Sequence, residues 1–317
     1  MPNPVLVKIA EDTLAAVQKG TFATPNGNTH TVDDLSKSNA TQFYAPDSPL
    51  SSWAASSPTP DVASSETELV LRKNSTIEGV QYCAPSARKI GVLNFASATR
   101  PGGGFLTGAR AQEESIARSS NLYSSLMTPE GQQFYAIHKS GTKSKYYTHA
   151  MIYTRDVQIF RSDAGGWVSP VRVDMLTSCA VNAGEVRRRQ GGESSGRSGK
   201  NGIKAYFKPA APAAPAAPAE DVEISIANVM RERMGRLLFL FEKEGTQDLV
   251  LGSFGTGVFR NNIDTVAKLW IELLVGPNAR FKNSFRRVVF AIIDEKTCTI
   301  FREVLDSHKV DFSENGT

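Results

Sequence analysis

The sequence has little of the chemistry that builds disulfide frameworks and metal centres. Its three cysteines, Cys83, Cys179 and Cys298, are far apart and form no CxxC pair, so neither a disulfide framework nor a zinc site is expected. The four histidines show no metal-ligand spacing such as HExxH. We therefore predict a protein of a reducing compartment that needs no metal ion or other cofactor.

Long apolar runs and a strong excess of one charge are lacking too. No segment approaches the roughly eighteen apolar residues of a membrane span. The N-terminus has no charged region followed by an apolar run, which a secretory signal would have. The expectation is an intracellular protein, nuclear or cytoplasmic, without a membrane partner. The formal net charge of +4 suits an enzyme that meets a polyanion, but it is too small to indicate sequence-specific binding of nucleic acid.

The apolar residues that are present follow strand-like and helix-like spacing in turn. Hydrophobic residues make up 40% of the 317 residues and charged residues 21%, which is enough for a sizeable packed core. Because strands alternate with helices, we predict an α/β fold. The predicted helices cover residues 4–19, 112–126, 221–243, 263–274 and 297–307, with a short helix after Asn74 or Ser75. The predicted strands cover residues 68–73, 89–96, 151–154, 156–160, 171–177, 248–254 and 287–293.

A low-complexity segment interrupts this pattern. Residues 187–200 are rich in Arg, Gly and Ser, and residues 209–219 read PAAPAAPAAPA. This composition predicts a flexible basic loop followed by an extended spacer. Because the layered pattern resumes afterwards, we interpret 187–220 as an insertion in a single domain of residues 1–317 rather than as a linker. Residues 1–66 form its N-terminal helical and loop extension.

A glycine triplet and two carboxylates stand close together after a strongly apolar predicted strand. The triplet is Gly102, Gly103 and Gly104. Consecutive glycines are costly in chain entropy, but they let the backbone approach a ligand closely and donate N–H groups to its phosphates or sugars. Glu113 and Glu114 follow at the start of a predicted helix, where carboxylates are commonly structural because they offset the helix dipole. Side chains of consecutive helical residues diverge by about 100°, so we expect the two carboxylates to have different roles.

A second glycine-rich loop follows a later predicted strand. Its glycines are Gly252, Gly255 and Gly257, and a helix begins near Ile263. Successive N–H groups beside a helix N-terminus favour an anion, so the layout is that of a phosphate cradle. The order GxxGxG is neither the Rossmann pattern nor a P-loop, so the loop alone is a weak signal. Phe259 either stacks on a ligand or belongs to the core.

These segments carry a family resemblance. Residues 92–123, with GGG, a short spacer and QEE, resemble the signature of the microbial-type poly(ADP-ribose) glycohydrolases. Residues 252–259 resemble that family's diphosphate-binding loop, and the opening helix and TQFY at 41–44 are also similar. The similarity spans most of the chain apart from 187–220. It implies a macrodomain-like three-layer fold, in which a mixed twisted sheet lies between helices and an ADP-ribose cleft lies at the strand ends.

The resemblance also implies roles for residues of both loops. Glu114 would be the catalytic acid/base, Glu113 would hold ribose hydroxyls near the scissile bond, and Gln112 would help to position the pair. Asn94 would contact ribose hydroxyls. The glycines that would line the reacting ribose and diphosphate are Gly102, Gly103 and Gly104. The residues that would enclose the diphosphate and brace the sugar are Gly255, Thr256, Gly257, Val258 and Phe259.

The implied reaction is hydrolysis of ribose–ribose O-glycosidic bonds in poly(ADP-ribose), which passes through an oxocarbenium-like state. ADP-ribose is then the product, and ADP-ribosylated proteins are the expected partners. One departure from many relatives lies in the second loop, which reads SFGT at residues 253–256 where those relatives have a Trp and a Cys. We expect this change to be tolerated, because both positions neighbour backbone contacts.

Other functions fit the same cleft. A hydrolase of mono-ADP-ribose on protein or DNA would differ only in the leaving group. An inactive ADP-ribose reader is a second alternative, but Glu113 and Glu114 argue against it because binding alone requires no acid. A generic nucleotide-binding α/β protein would need both loops and the QEE triplet to match by chance. The sequence leaves open the choice between exo- and endo-cleavage, the oligomeric state and the role of the insertion.

Overall fold

A mixed eight-stranded sheet organises the computed structural model, which describes residues 3–57, 66–86, 88–140, 144–192 and 219–314. The strands in chain order are β1 (Thr21–Ala23), β2 (Thr29–Thr31), β3 (Thr41–Tyr44), β4 (Glu68–Arg72), β5 (Ile90–Phe95), β6 (Met151–Arg161), β7 (Trp167–Ser178), β8 (Asp248–Leu251), β9 (Arg287–Ala291) and β10 (Ser313–Glu314). The sheet order is β10-β4-β9-β8-β5-β7-β6-β3, and β1 pairs with β2 in a separate hairpin.

Helices cover both faces of this sheet. They are α1 (Pro4–Lys19), α2 (Thr76–Cys83), α3 (Gln112–Ser119), α4 (Leu122–Leu126), α5 (Pro129–Ser140), α6 (Ala183–Gly192), α7 (Ala219–Lys243), α8 (Ile263–Leu274) and α9 (Glu295–Ser307). With the sheet between two helical layers, the predicted three-layer α/β fold with a mixed sheet is confirmed. No helix among the described residues is long and apolar enough to cross a membrane.

The strand directions decide where a cleft can form. Parallel pairing joins the neighbouring strands from β10 through β4, β9, β8 and β5 to β7. The last two pairs, β7 with β6 and β6 with β3, are antiparallel. The carboxyl ends of the parallel strands therefore meet at one edge, where open α/β sheets place ligands. The loops that follow β5 and β8 are the two glycine-rich loops, and these strands are neighbours in the sheet.

Two cores lie on opposite faces of the sheet, because successive strand residues point to opposite sides. In β8, Leu249 and Leu251 face the core built with α7, α8 and α9, while Val250 faces the core built with α2, α3, α4 and α5. Strands that are buried on both faces read as continuous apolar runs, which explains the apolar run predicted as a strand at 89–96.

Two local predictions about secondary structure were wrong. The predicted helix over 112–126 is two helices, α3 and α4, because Ser120 is extended and bridges Ile159 of β6. The neighbouring Asn121 accepts a hydrogen bond from the Gln158 N–H with its Oδ1 atom at 2.8 Å. The two predicted strands at 151–154 and 156–160 are one strand, β6, with a bulge where Asp156 takes a positive φ of 56°.

The predicted flexible segment at 187–220 is helical at its start. α6 extends to residue 192, and its first turn is anchored by a hydrogen bond from the Gly184 N–H to the Phe259 carbonyl at 3.0 Å. Arg187 adds an ion pair with Glu223 of α7. These tertiary contacts favour a helix where composition alone predicted a loop. Residues 193–218 of the predicted insertion lie outside the described residues.

Candidate active site

A cleft of about 800 Å³ lies at the carboxyl ends of β5, β8 and β9. This volume falls in the usual range of small-molecule sites. Its walls come from the loop after β5 (residues 97–111, called loop one below), the first turn of α3, and the loop after β8 (residues 252–262, loop two). The fold therefore brings together the two motifs that are 150 residues apart in the sequence.

Loop one makes direct contact with the carboxylates of α3. Gly102 and Gly103 have positive φ values of 65° and 59°, a conformation that favours glycine. A Cβ atom at Gly103 would overlap Glu114 Oε1 and lie 3.1 Å from Glu113 Oε2. The next residue, Gly104, donates its N–H to Glu114 Oε1 at 2.8 Å. Glycine is thus required at position 103 by the carboxylates that this residue covers.

The two carboxylates are buried and have different partners. Glu113 is 2% exposed and Glu114 is 9% exposed. Glu113 Oε2 accepts the Ser97 N–H at 2.7 Å, whereas Glu114 Oε1 accepts the Gly104 N–H. Among the described residues, Glu113 Oε1 and Glu114 Oε2 have no hydrogen-bond partner. Each carboxylate therefore has one oxygen anchored to loop one and one oxygen available.

Glu113 holds a proton more firmly than an ordinary glutamate. Burial raises its pKa from 4.5 to about 8, and the Ser97 N–H partly offsets this by stabilising the charged form. The neighbouring Glu114 charge raises the pKa of Glu113 further, and the Asn94 side chain lowers it. At neutral pH the Glu113 carboxyl is therefore largely neutral.

Gln112 joins the first turn of α3 to the end of β5. Its Oε1 accepts the Phe95 N–H at 2.8 Å, and its Nε2 donates to the Leu93 carbonyl at 2.7 Å and to Thr76 Oγ1 at 3.2 Å. Both ends of the amide are thus occupied by protein groups. This arrangement fixes the position of the helix that carries Glu113 and Glu114.

Asn94 lies within β5 and is fully buried. Its Nδ2 donates to Thr177 Oγ1 of β7 at 3.2 Å, and the side chain is not among those that line the cleft. The predicted contact between Asn94 and ribose hydroxyls stays a prediction. In the structure its influence on the site is through the pKa of Glu113.

Loop two presents backbone to the cleft. Gly255 has a φ of 76°, and a Cβ there would meet Ala180 and lie 2.7 Å from Asn261 Nδ2. The N–H groups of Gly257, Val258 and Phe259 have no acceptor among the described residues. Successive free N–H groups of this kind form a concavity that suits an anion.

The side chains of loop two serve mostly to hold its shape. Thr256 Oγ1 donates to the Ser253 carbonyl at 2.9 Å, and Val258 is 80% exposed at the cleft mouth. Phe259 lines the cleft and packs against Tyr147, with ring centroids 6.0 Å apart. The two interpretations of Phe259, ligand contact and core, are therefore compatible with each other. Phe254 is fully buried and packs against Phe95.

Sequence reasoning missed several residues of the site. Asn261 is 4% exposed, and its Nδ2 donates to the Gly255 carbonyl at 2.9 Å and to the Val181 carbonyl at 2.8 Å. Ser97 contributes through its N–H, which any residue would supply. Arg100 and Arg110 also line the cleft. Position next to a glycine-rich loop was the only signal for these residues.

Comparisons with known proteins identify the family. The family profile of the microbial-type PARG catalytic domain matches residues 10–162. No curated protein matches the chain. Among solved structures, poly(ADP-ribose) glycohydrolase from Thermomonospora curvata is 30% identical with a TM-score of 0.78, covering 95% of this chain and 100% of that chain. The same enzyme bound to the inhibitor ADP-HPD gives 30% identity and a TM-score of 0.75 over 95% and 99% of the two chains.

A second organism supports the same assignment. Poly(ADP-ribose) glycohydrolase from Deinococcus radiodurans in complex with ADP-ribose is 32% identical with a TM-score of 0.67, covering 84% of this chain and 94% of that chain. These similarities extend over nearly the full length of both solved structures, well beyond the two loops. The chain therefore belongs to the family of microbial-type poly(ADP-ribose) glycohydrolases.

Proposed function

We propose that this chain hydrolyses the ribose–ribose O-glycosidic bonds of poly(ADP-ribose) and releases ADP-ribose. The observation that carries the proposal is the buried pair Glu113 and Glu114, held by the Ser97 and Gly104 N–H groups beneath the glycine triplet. Burying two carboxylates side by side is unfavourable for stability, and buried carboxylates of this kind are typical of functional sites. Family members from T. curvata and D. radiodurans were solved with ADP-HPD and with ADP-ribose, respectively.

Loop two is proposed to hold the diphosphate of the bound ADP-ribose unit. The free N–H groups of Gly257, Val258 and Phe259 supply donors at fixed positions, and α8 begins just beyond them at Ile263. A helix N-terminus adds a favourable partial positive charge. Phe259, whose ring packs against Tyr147, then forms the wall of the site beside the sugar.

Glu114 is proposed to be the general acid and base. The Gly104 N–H fixes Oε1 and leaves Oε2 for the proton transfer. As an acid, Glu114 donates its proton to the leaving ribose oxygen as the glycosidic bond breaks. As a carboxylate, it then takes a proton from the water that attacks the oxocarbenium carbon.

Glu113 and Gln112 are proposed to support this step. Neutral Glu113 can donate to or accept from a ribose hydroxyl through its available Oε1, next to the bond that breaks. Gln112 is a positioning residue, because its amide holds α3 on β5 and has no group left for a ligand. ADP-ribosylated proteins would be the partners that present the polymer.

The test is release of free ADP-ribose from an automodified polymerase by the wild type and by Glu114→Gln. Acid/base catalysis is worth about 10²-fold or more, so the variant should lose at least that much turnover while it keeps its affinity for ADP-ribose. Glu303→Gln, an exposed glutamate on α9, is the matched control and should retain full activity. Near-normal turnover by Glu114→Gln would contradict the assigned acid. Release from a mono-ADP-ribosylated protein instead of the polymer would favour the alternative function, a hydrolase of mono-ADP-ribose.

A further inference from the structure

Two arginines of loop one, Arg100 and Arg110, flank the glycine triplet and point to a second function of that loop. Within the described part of the chain, Arg100 and Arg110 are the only basic side chains that line the cleft. Both are exposed, and neither guanidinium has an ion-pair or hydrogen-bond partner among the described residues. The neighbouring Arg118 is engaged instead, because its guanidinium donates to the Ala109 carbonyl. Two free cations in one cleft indicate an anion that is not part of the protein.

The backbone places both arginines within a turn of the carboxylate site. The Gly103 N–H donates to the Arg100 carbonyl at 2.9 Å, so Arg100 begins the tight turn that covers Glu114. On the other side, the Ala109 N–H donates to the Gly104 carbonyl at 3.2 Å, and Arg110 follows directly. The two arginines therefore lie on either side of the glycine triplet. This places them beside Glu113 and Glu114, where the proposed reaction takes place, and not in loop two.

Among the described residues, the acidic groups that face the same cleft form no ion pair with Arg100 or Arg110. Asp163 is hydrogen-bonded to Ser75 Oγ at 2.5 Å, and Asp294 caps α9 by accepting the Thr297 N–H at 2.7 Å. Glu113 and Glu114 are held by loop one itself. The arginine charges thus remain available to a ligand, although solvent and salt screen them in part.

We propose that Arg100 and Arg110 bind the diphosphate of the leaving ADP-ribose unit, the unit on the far side of the bond that is hydrolysed. This inference rests on the proposed function. The leaving oxygen belongs to the adenosine ribose of that unit, whose diphosphate is attached through the same ribose. An anion is therefore held close to the scissile bond, within reach of side chains that flank it. Guanidinium groups match phosphate oxygens with paired hydrogen bonds.

The subsite distinguishes polymer from a single attached ADP-ribose. A mono-ADP-ribosylated side chain carries no diphosphate on the leaving side, so it would gain nothing from the two arginines. The bound unit has its own diphosphate cradle in loop two and would not need them. Arg100 and Arg110 would thus add affinity only for the polymeric substrate.

The experiment compares two defined probes with the full-length protein. One is the ADP-ribose dimer, and the other is 2′-O-ADP-ribosyl adenosine, whose leaving group ends in a 5′ hydroxyl. Steady-state constants are measured for the wild type, Arg100→Ala, Arg110→Ala and the double variant. Arg88→Ala, an exposed arginine just before β5 at the opposite end of that strand, removes the same charge away from the cleft.

The expected result is a selective loss on the dimer. Guanidinium and phosphate attract each other even at an exposed site, although solvent and salt weaken the pair, so each single variant should lose about three- to tenfold in kcat/KM. The double variant should lose about tenfold to a hundredfold, mainly through KM. On 2′-O-ADP-ribosyl adenosine, and in the affinity for free ADP-ribose, all variants should stay within about twofold.

Each other outcome overturns the subsite in a recognisable way. Equal losses on both probes, or a matching loss of ADP-ribose affinity, would mean that the arginines serve the bound unit or loop one itself. No loss on either probe, or the same loss in Arg88→Ala, would mean that they bind nothing specific. A wild type that releases ADP-ribose from neither probe and from no automodified polymerase would refute the proposed function, and the subsite with it. The first two results leave the hydrolase intact.

Discussion

Loop one and loop two occupy the same edge of the sheet but are built on opposite principles. Loop one lies directly on two buried side chains. Glu113 and Glu114 accept its N–H groups, and Gly103 has no room for a Cβ atom. Loop two leaves the N–H groups of Gly257, Val258 and Phe259 without an acceptor among the described residues, and the Asn261 amide braces it at the Gly255 carbonyl. The first loop presents reactive side chains, and the second presents backbone.

The difference teaches where sequence changes should matter. In loop one the chemistry depends on side chains that are buried and positioned by glycine backbone, so small changes move reactive atoms. In loop two the donors are peptide N–H groups, which any residue supplies if the turn keeps its shape. Phe254 and Thr256 fit this contrast, because Phe254 is core and the Thr256 side chain bonds within the loop.

Gly103→Ala should give the largest effect. Its Cβ would displace the Glu114 carboxylate, and a misplacement of about 1 Å at a reacting group can cost about 10²-fold in rate. Alanine at a φ of 59° adds roughly 1–2 kcal/mol of backbone strain. We therefore expect turnover of the polymer to fall about 10²-fold, measured as release of ADP-ribose.

Backbone strain alone must be separated from the displaced carboxylate. Gly27 also has a positive φ, 85°, but a Cβ there would meet nothing within 4 Å. Gly27→Ala should therefore lose stability without losing turnover per folded molecule. If Gly103→Ala behaved in the same way, the close approach of loop one to Glu114 would be unimportant for catalysis.

Glu113→Gln should change how stability depends on pH. The folded pKa of Glu113, about 8, lies above the ordinary value of 4.5. The neutral form thus stabilises the fold fully below about pH 4.5, and this contribution is lost as the pH rises through 8. Glutamine keeps an oxygen for the Ser97 N–H and cannot ionise. We expect the variant to gain on the order of 4 kcal/mol over the wild type between pH 5 and pH 9.

Chemical denaturation at several pH values measures this difference. Glu303→Gln on α9 removes an exposed carboxylate and should follow the wild type at every pH. A constant difference between Glu113→Gln and the wild type across the range would show that Glu113 does not gain a proton on folding.

Asn261→Ala tests the brace of loop two and should have a moderate effect. It removes two hydrogen bonds and leaves the carbonyls of Gly255 and Val181 without that partner. Each buried loss costs about 1 kcal/mol or more, so unfolding by urea should show a loss of about 1–3 kcal/mol. Affinity for ADP-ribose should fall as well, because the N–H groups of loop two lose their fixed direction.

The adjacent Asn262 provides the control. Its Oδ1 accepts the Thr265 N–H and caps α8, so Asn262→Ala should destabilise the protein by about 1 kcal/mol. Among the described residues its side chain makes no hydrogen bond to the rest of loop two, so ADP-ribose affinity should change less than in Asn261→Ala. Equal loss of affinity in both variants would attribute the effect to α8 rather than to the brace.

The same contrast explains what the sequence could predict. Local signals defined α1, which ends where Gly20 takes a φ of 80°, and α8, whose bounds match the prediction. The glycine triplet and the carboxylates were visible because their residue types are unusual together. The break between α3 and α4 was not visible, since it depends on pairing of Ser120 with Ile159 of β6.

Tertiary contacts also account for the site residues that were missed. Asn261 reaches back to the Gly255 carbonyl within its own loop and across to Val181 after β7. Nothing in the local sequence distinguishes it from Asn262, which caps a helix. Likewise, the complete burial of Asn94 beside Thr177 depends on β7 pairing with β5. Roles that arise from partners distant in the sequence follow only from the fold.

Gly257→Ala should have the smallest effect and is the sharpest test of the contrast between the loops. A Cβ at Gly257 would meet nothing within 4 Å, and its φ is not in the left-handed region. Its N–H would still be available to a ligand, so both turnover and ADP-ribose affinity should stay within about twofold of the wild type. The measurement is kcat and KM on the polymer beside Gly103→Ala. A loss comparable to that of Gly103→Ala would mean that the ligand packs directly on the Gly257 Cα, and loop two would then be as sterically constrained as loop one.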